Sequence, residues 1–145
     1  MEVVDRLNYL FTISPIVITV FFLYLSIASV NKRKELYFHF VVYSLIFVSL
    51  FNAIEKRLAK YFNVYDLYRP DKRYCAGTNI GMPSGHAQFY GFLAGFFPIT
   101  TPFAILGSYS RVYIGCHSVL QVIVGFTIGY LISRYLRSHD GFLEK

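Results

Sequence analysis

Charge-free runs divide this sequence more sharply than anything else in it. Residues 10–30 hold no Asp, Glu, Lys or Arg for 21 positions, residues 36–54 for 19, residues 74–110 for 37 and residues 112–133 for 22. None of the four shows the polar stripe that a helix on a soluble core keeps toward water. A helix needs about 20 apolar residues to cross roughly 30 Å of hydrocarbon, so the first, second and fourth runs are each long enough to span. The third holds Pro98 and Pro102, which bracket a turn at 99–101 and split the run into two helices that enter and return. Twelve helical residues cover only about 18 Å. Either these two stop inside the bilayer, with the turn's polar groups satisfied from within the protein, or they extend past these limits. The expectation is an all-α, polytopic membrane helix bundle, one domain over residues 1–145, with about five membrane-embedded helices, two of them short. Residues 10–30 exceed the core of a cleaved signal, about 7–15 residues, and Arg6 is offset by Glu2 and Asp5, so a retained helix is expected. Pro15 is placed in its first turn, where a missing amide is harmless.

Composition agrees with a membrane protein: 55% of the 145 residues are hydrophobic and only 15% charged. The net charge of +6 is no nucleic-acid signature, because the cations gather at Lys32-Arg33-Lys34, between Lys56 and Arg73, and at Arg134 with Arg137. Helix parity puts the first and third clusters on one side, which the positive-inside rule makes cytosolic. The middle cluster opposes that count unless its members serve a substrate anion. The site would then face the lumen or the exterior. Cys75 and Cys116 fall on that face. Two free thiols are expected, with a disulfide as the alternative. No paired metal-ligand spacing, repeat or second domain is present.

The chemistry lies in and after the one stretch expected outside the membrane, residues 55–81. Arg69-Pro70 sits among Tyr61, Tyr65, Tyr68 and Tyr74, which suit a membrane interface. Pro83-Ser84-Gly85-His86 then opens a helix, exposing unpaired first-turn N–H groups and a positive dipole end that suit an anion. Gly85 is read as letting a phosphate approach the backbone. Ser110-Arg111 closes the same run and His117 opens the last one. Because residues 87–110 go in and come back, His86, Arg111 and His117 reach one surface. Two histidines with Arg69 and Arg111 point to phosphate chemistry.

These residues resemble the type-2 phosphatidic acid phosphatase superfamily of membrane lipid phosphatases. Its Lys/Arg-x6-Arg-Pro, Pro-Ser-Gly-His and Ser-Arg-x5-His-x3-Asp motifs match here at Arg69-Pro70, Pro83–His86 and Ser110–His117, over roughly residues 52–129. Gln121 stands where the wider family has Asp. With Gly81-Met82 and Gln88, that resembles the dolichyl-diphosphatase branch. The first helix adds nothing specific to the match. The resemblance implies hydrolysis of the terminal phosphate of a polyisoprenyl diphosphate, without metal or cofactor, at the lumenal face of the endoplasmic reticulum. The lipid and the bilayer would be its partners, and nucleic acid would not. His117 would be the nucleophile, forming a phosphohistidine. His86 would be the general acid and then base. Arg69, Arg111 and the amides near Ser84 and Gly85 would cradle the phosphate. Gln121, one turn after His117, would accept from Nδ1–H and fix the tautomer. Phe62 occupies the place of the first motif's basic residue, leaving Lys56 or Lys60 to serve, with Lys60 also readable as a solvated charge. A lipid monophosphate substrate, an inactive lipid-binding protein and a lipid phosphotransferase are the other readings.

Overall fold

In a computed structural model, the protein is described at residues 2–30, 33–71, 75 and 78–139. Lys32, Arg73 and Tyr74, named above, lie outside the described residues. Among those described, the chain is helical apart from its loops and one isolated antiparallel bridge, Tyr68 to Ile80. Helix α1 covers Glu2–Ala28 and α2 covers Arg33–Tyr61. Then come α3, Gly85–Phe96, α4, Thr101–Tyr113, and α5, Val119–His139. Three of them, α1, α2 and α5, have the length and apolarity to cross a membrane. Ile16, Val20 and Ile27 on α1 are 69%, 59% and 73% exposed on the isolated chain, an apolar surface that suits lipid and not water.

Two of these helices differ from expectation. Because α1 begins at Glu2, Pro15 falls in its interior and not in its first turn. There it removes the N–H that the Phe11 carbonyl would otherwise accept. Helix α2 runs on to Tyr61, so Lys56 and Lys60 are helical, where a loop from residue 55 was expected. Its middle, Ser44–Leu50, is π-helical, a widened turn between α-helical Arg33–Tyr43 and Phe51–Tyr61.

The core lies where α3 packs against its neighbours. Phe40, Phe89, Tyr90, Phe92, Leu93 and Phe96 are fully or nearly fully buried, and Phe22 of α1 stacks on Phe97 at 4.7 Å. Helices α3 and α5 run parallel and very close. A Cβ on Gly129 would lie 1.9 Å from the Gln88 carbonyl oxygen, so only glycine lets the backbones meet there.

That pairing shows how the short α3 lies along the longer α5. Gly125, six residues into α5, meets Ser84 at the head of α3, and Arg137 near the end of α5 donates to Phe96 O at its foot. Six residues are about 9 Å, and the 12 residues of α3 about 18 Å, so together they match the rise of α5 from residue 119 to 137, about 27 Å. The short helix starts further along their common direction than its long neighbour. The turn after it satisfies its polar groups internally: Phe97 N–H donates to Leu93 O, Thr100 N–H and Oγ1 to Phe97 O, and Thr101 Oγ1 to Pro98 O.

Candidate functional site

His117 lies in the turn between α4 and α5 and is 2% exposed. Its backbone N–H donates to Arg111 O at 3.1 Å. Its Nδ1 is 3.0 Å from Gln121 Oε1 and its Nε2 is 3.0 Å from Arg69 Nη1. A guanidinium has no lone pair to offer, so Nε2 accepts from Arg69 and the ring proton sits on Nδ1. Gln121 supports the same assignment independently. Its amide Nε2 donates to Asp66 O at 2.7 Å and Tyr68 O at 2.8 Å, which turns Oε1 toward His117. The Ser118 N–H also donates to Oε1, at 3.3 Å. Gln121 is thus satisfied on every side and holds His117 with its Nε2 lone pair outward.

Electrostatics keep the ring neutral. Burial, then the Arg69 guanidinium, with Arg111 and Lys56 behind it, drive the His117 pKa down to about 3 against the opposing Gln121 bond. Burial also lowers the pKa of Arg69. Arg69 comes from the 62–84 loop, which is fastened at several points. Its Nε donates to Thr78 O at 2.9 Å and its N–H to Asn79 O at 3.0 Å. Asp71 N–H donates to Gly115 O at 3.0 Å. Cys75 and Cys116 form a disulfide with Cα atoms 5.6 Å apart, which corrects the expectation of free thiols. The separation was not readable from sequence. The bridge ties the Arg69 loop to the residue before His117.

Asp66 has φ of +58°, a left-handed conformation that Asp tolerates, and its carboxylate accepts from the Ser118 hydroxyl. That bond brings the loop carbonyls to Gln121.

Arg111 comes from α4 and is 2% exposed. Its Nη1 donates to Thr12 Oγ1 at 2.7 Å, while its buried Nε has no partner among the described residues. His86 stands in the first turn of α3, with Nε2 3.0 Å from the Thr12 carbonyl oxygen. Lys56, half-buried on α2, acts on both histidines, whereas the Lys60 side chain is exposed and exerts no such effect. Lys56 is the basic residue brought to the site.

The helix cradle is narrower than expected. Ser84 caps α3, its Oγ accepting from Ala87 N–H at 3.4 Å. Its own N–H donates to Gln121 O at 3.1 Å, so this amide is spent within the protein. Gly85 remains in the first turn, where N–H groups lie ahead of the helical ladder. Its missing side chain leaves room for Asn52, since a Cβ there would lie 3.0 Å from Asn52 Oδ1. Asn52 in turn donates to Gln88 Oε1 at 2.7 Å, joining α2 to α3. Sequence reasoning missed Thr12 entirely. The one available signal was polar Thr12 and Ser14 beside Pro15 within an apolar run.

A cavity of ≈ 470 Å³ opens beside this cluster. Asn52, Gly85 and His86 line one part of it, and Ile16, Val20 and Val48 contribute apolar walls from α1 and the π-helical turn. No family model matches the chain, and no curated protein or solved structure matches it.

Proposed function

We propose that the protein is a membrane-bound phosphohydrolase of the type its motifs resemble, cleaving the terminal phosphate from a lipid diphosphate of the polyisoprenyl kind. The observation that carries this reading is His117. It is a neutral imidazole with its Nε2 lone pair outward, beneath Arg69 and within reach of the charges of Arg111 and Lys56. Arg69 bonded to that nitrogen, with the charges of Arg111 and Lys56 felt at it, suits a multiply charged oxyanion, and the buried Arg111 Nε, without a partner among the described residues, is a donor that such an anion would satisfy.

In this reading Arg69 leaves Nε2 for a phosphate oxygen as substrate binds. His117 Nε2 forms a bond to the terminal phosphorus while the bond to the bridging oxygen breaks, and that oxygen takes a proton that His86 has taken up from solvent as the anionic substrate binds. Water then adds to the phosphorus, His86 takes its proton, the P–N bond breaks and inorganic phosphate leaves. The arginines and first-turn amides stabilise the charge that grows on the equatorial oxygens. The ≈ 470 Å³ cavity supports a lipid: apolar walls from two membrane-length helices begin next to His86. The disulfide supports a site that faces an oxidising compartment, such as the lumen of the endoplasmic reticulum.

The test is phosphate release by detergent-purified protein, with EDTA present, from dolichyl diphosphate, farnesyl diphosphate and phosphatidate. Turnover of the diphosphates, abolished in His117→Ala, is expected. Preference for phosphatidate would move the reading to a lipid monophosphate. Loss of activity on chelation would refute the mechanism, and no turnover of any substrate would refute the enzyme.

A further inference from the structure

The general acid and the deepest phosphate ligand of the proposed site both hang on one residue of α1, the helix that the motifs do not reach. Pro15 interrupts the ladder of α1, and the Phe11 carbonyl, left without its helical donor, accepts from the Tyr90 hydroxyl of α3 at 2.8 Å. Ser14 Oγ lies 3.1 Å from the same carbonyl and 2.5 Å from Tyr90 Oη, so this hydroxyl bridges the two helices. The contact pins α1 against α3 one residue away from Thr12. Thr12 then meets the site twice. Its carbonyl lies 3.0 Å from His86 Nε2, and its hydroxyl accepts from Arg111 Nη1 at 2.7 Å.

We infer that Thr12 is a positioning residue of the phosphate site, holding Arg111 through its hydroxyl and selecting Nδ1 as the working nitrogen of His86 through its carbonyl. A carbonyl oxygen only accepts, so the bonded Nε2 must carry a proton. That leaves Nδ1 as the nitrogen that takes up a second proton as the anionic substrate binds, gives it to the leaving oxygen and later takes one from water. The two histidines are therefore set in opposite tautomers: His117 is protonated at Nδ1 and works at Nε2, and His86 is protonated at Nε2 and works at Nδ1. One is fixed by a side-chain amide on α5, the other by a backbone carbonyl on α1. The arrangement also leaves the buried Arg111 Nε as a donor for an anion. Thr12 satisfies one N–H and anchors the fork, while the buried Nε stays unpaired.

This inference rests on the phosphohydrolase reading for its kinetic arm and stands apart from it in two others. Thr12→Val keeps size and backbone and removes the hydroxyl, whereas Thr12→Ser keeps the hydroxyl. Loss of a hydrogen bond to a charged donor predicts a drop of about 10- to 100-fold in kcat/KM for Thr12→Val. Inorganic phosphate or orthovanadate should bind more weakly by a similar factor, and Thr12→Ser should restore both. The shape of the pH–rate profile should not change in Thr12→Val, because the carbonyl to His86 remains. Nitrogen NMR of the wild-type histidines should show His86 protonated at Nε2 with Nδ1 bare. Unchanged phosphate binding in Thr12→Val, or His86 protonated at Nδ1, overturns the inference even if the enzyme turns over. Absence of turnover with the phosphate and NMR results intact overturns the enzymatic reading alone.

Discussion

Replacing Gln121 by Glu changes one atom, and the surroundings of that atom allow its cost to be worked out. In the native protein Gln121 Nε2 faces two carbonyl oxygens, Asp66 O at 2.7 Å and Tyr68 O at 2.8 Å, and donates to both. A glutamate puts an oxygen there. If ionised, it opposes two carbonyl dipoles in a site that is fully buried. If protonated, its single O–H satisfies one carbonyl and leaves the other facing a lone pair. Each net hydrogen bond lost costs about 1 kcal/mol and each buried polar group left unpaired about 1–3 kcal/mol, so a total of roughly 3–5 kcal/mol is expected. At about 2–4 °C per kcal/mol for a protein of this size, the unfolding temperature should fall by roughly 6–20 °C. Thermal unfolding in detergent, for wild type, Gln121→Glu and Gln121→Leu, reads this directly. A Gln121→Glu protein as stable as wild type refutes the proposed carbonyl cradle. Phosphate release should fall in Gln121→Leu, which offers His117 Nδ1–H no acceptor.

Two further outcomes are expected. The Cys75–Cys116 bridge joins residues 41 apart, and chain entropy alone assigns such a loop about 4 kcal/mol. Cys75→Ser, or treatment with dithiothreitol, should lower the unfolding temperature and reduce activity together, because the Arg69 loop loses its tie to the His117 turn; unfolding curves identical with and without reductant would contradict this. His117 has a folded pKa of about 3 against about 6.5 unfolded, so between those values the unfolded chain binds the extra proton. Stability should therefore decline as pH falls below 6.5, and His117→Asn should flatten that decline in urea or thermal unfolding measured from pH 4 to 7.

What sequence made legible followed from geometry that is local. Charge-free runs predicted the three long helices, and the prolines at 98 and 102 predicted the turn between the two short ones. His117 and Gln121 meet because four residues make one turn, and the structure has them 3.0 Å apart. The position of Pro15 was misjudged for an equally local reason: the helix start was set by the beginning of the charge-free run at residue 10, whereas α1 continues through the charged residues back to Glu2. Longer-range facts were not legible. Whether Cys75 reaches Cys116 depends on how the 62–84 loop folds back through its bridge at Tyr68 and Ile80. Lys56 and Lys60 lie one turn apart on the same face of α2, so which of them is half-buried depends on how far along that helix its neighbours pack.

The same distinction bears on Gln121. Read as a sequence letter, it is a departure from an acidic position, and its meaning comes only from resemblance. In the folded chain the reason is physical. Residue 121 is surrounded by Asp66 O and Tyr68 O on one side and by the His117 and Ser118 N–H groups on the other. That environment asks for two donors on one atom and an acceptor on the other, which describes an amide and excludes a carboxylate. A loop that turned its carbonyls elsewhere would favour Asp, which would add negative charge beside His117 and raise its pKa. Choosing the amide leaves His117 neutral at neutral pH, as the proposed role of nucleophile requires. The loop from Asp66 to Tyr68, bearing no side chain that sequence motifs single out, thus decides which residue can serve the histidine.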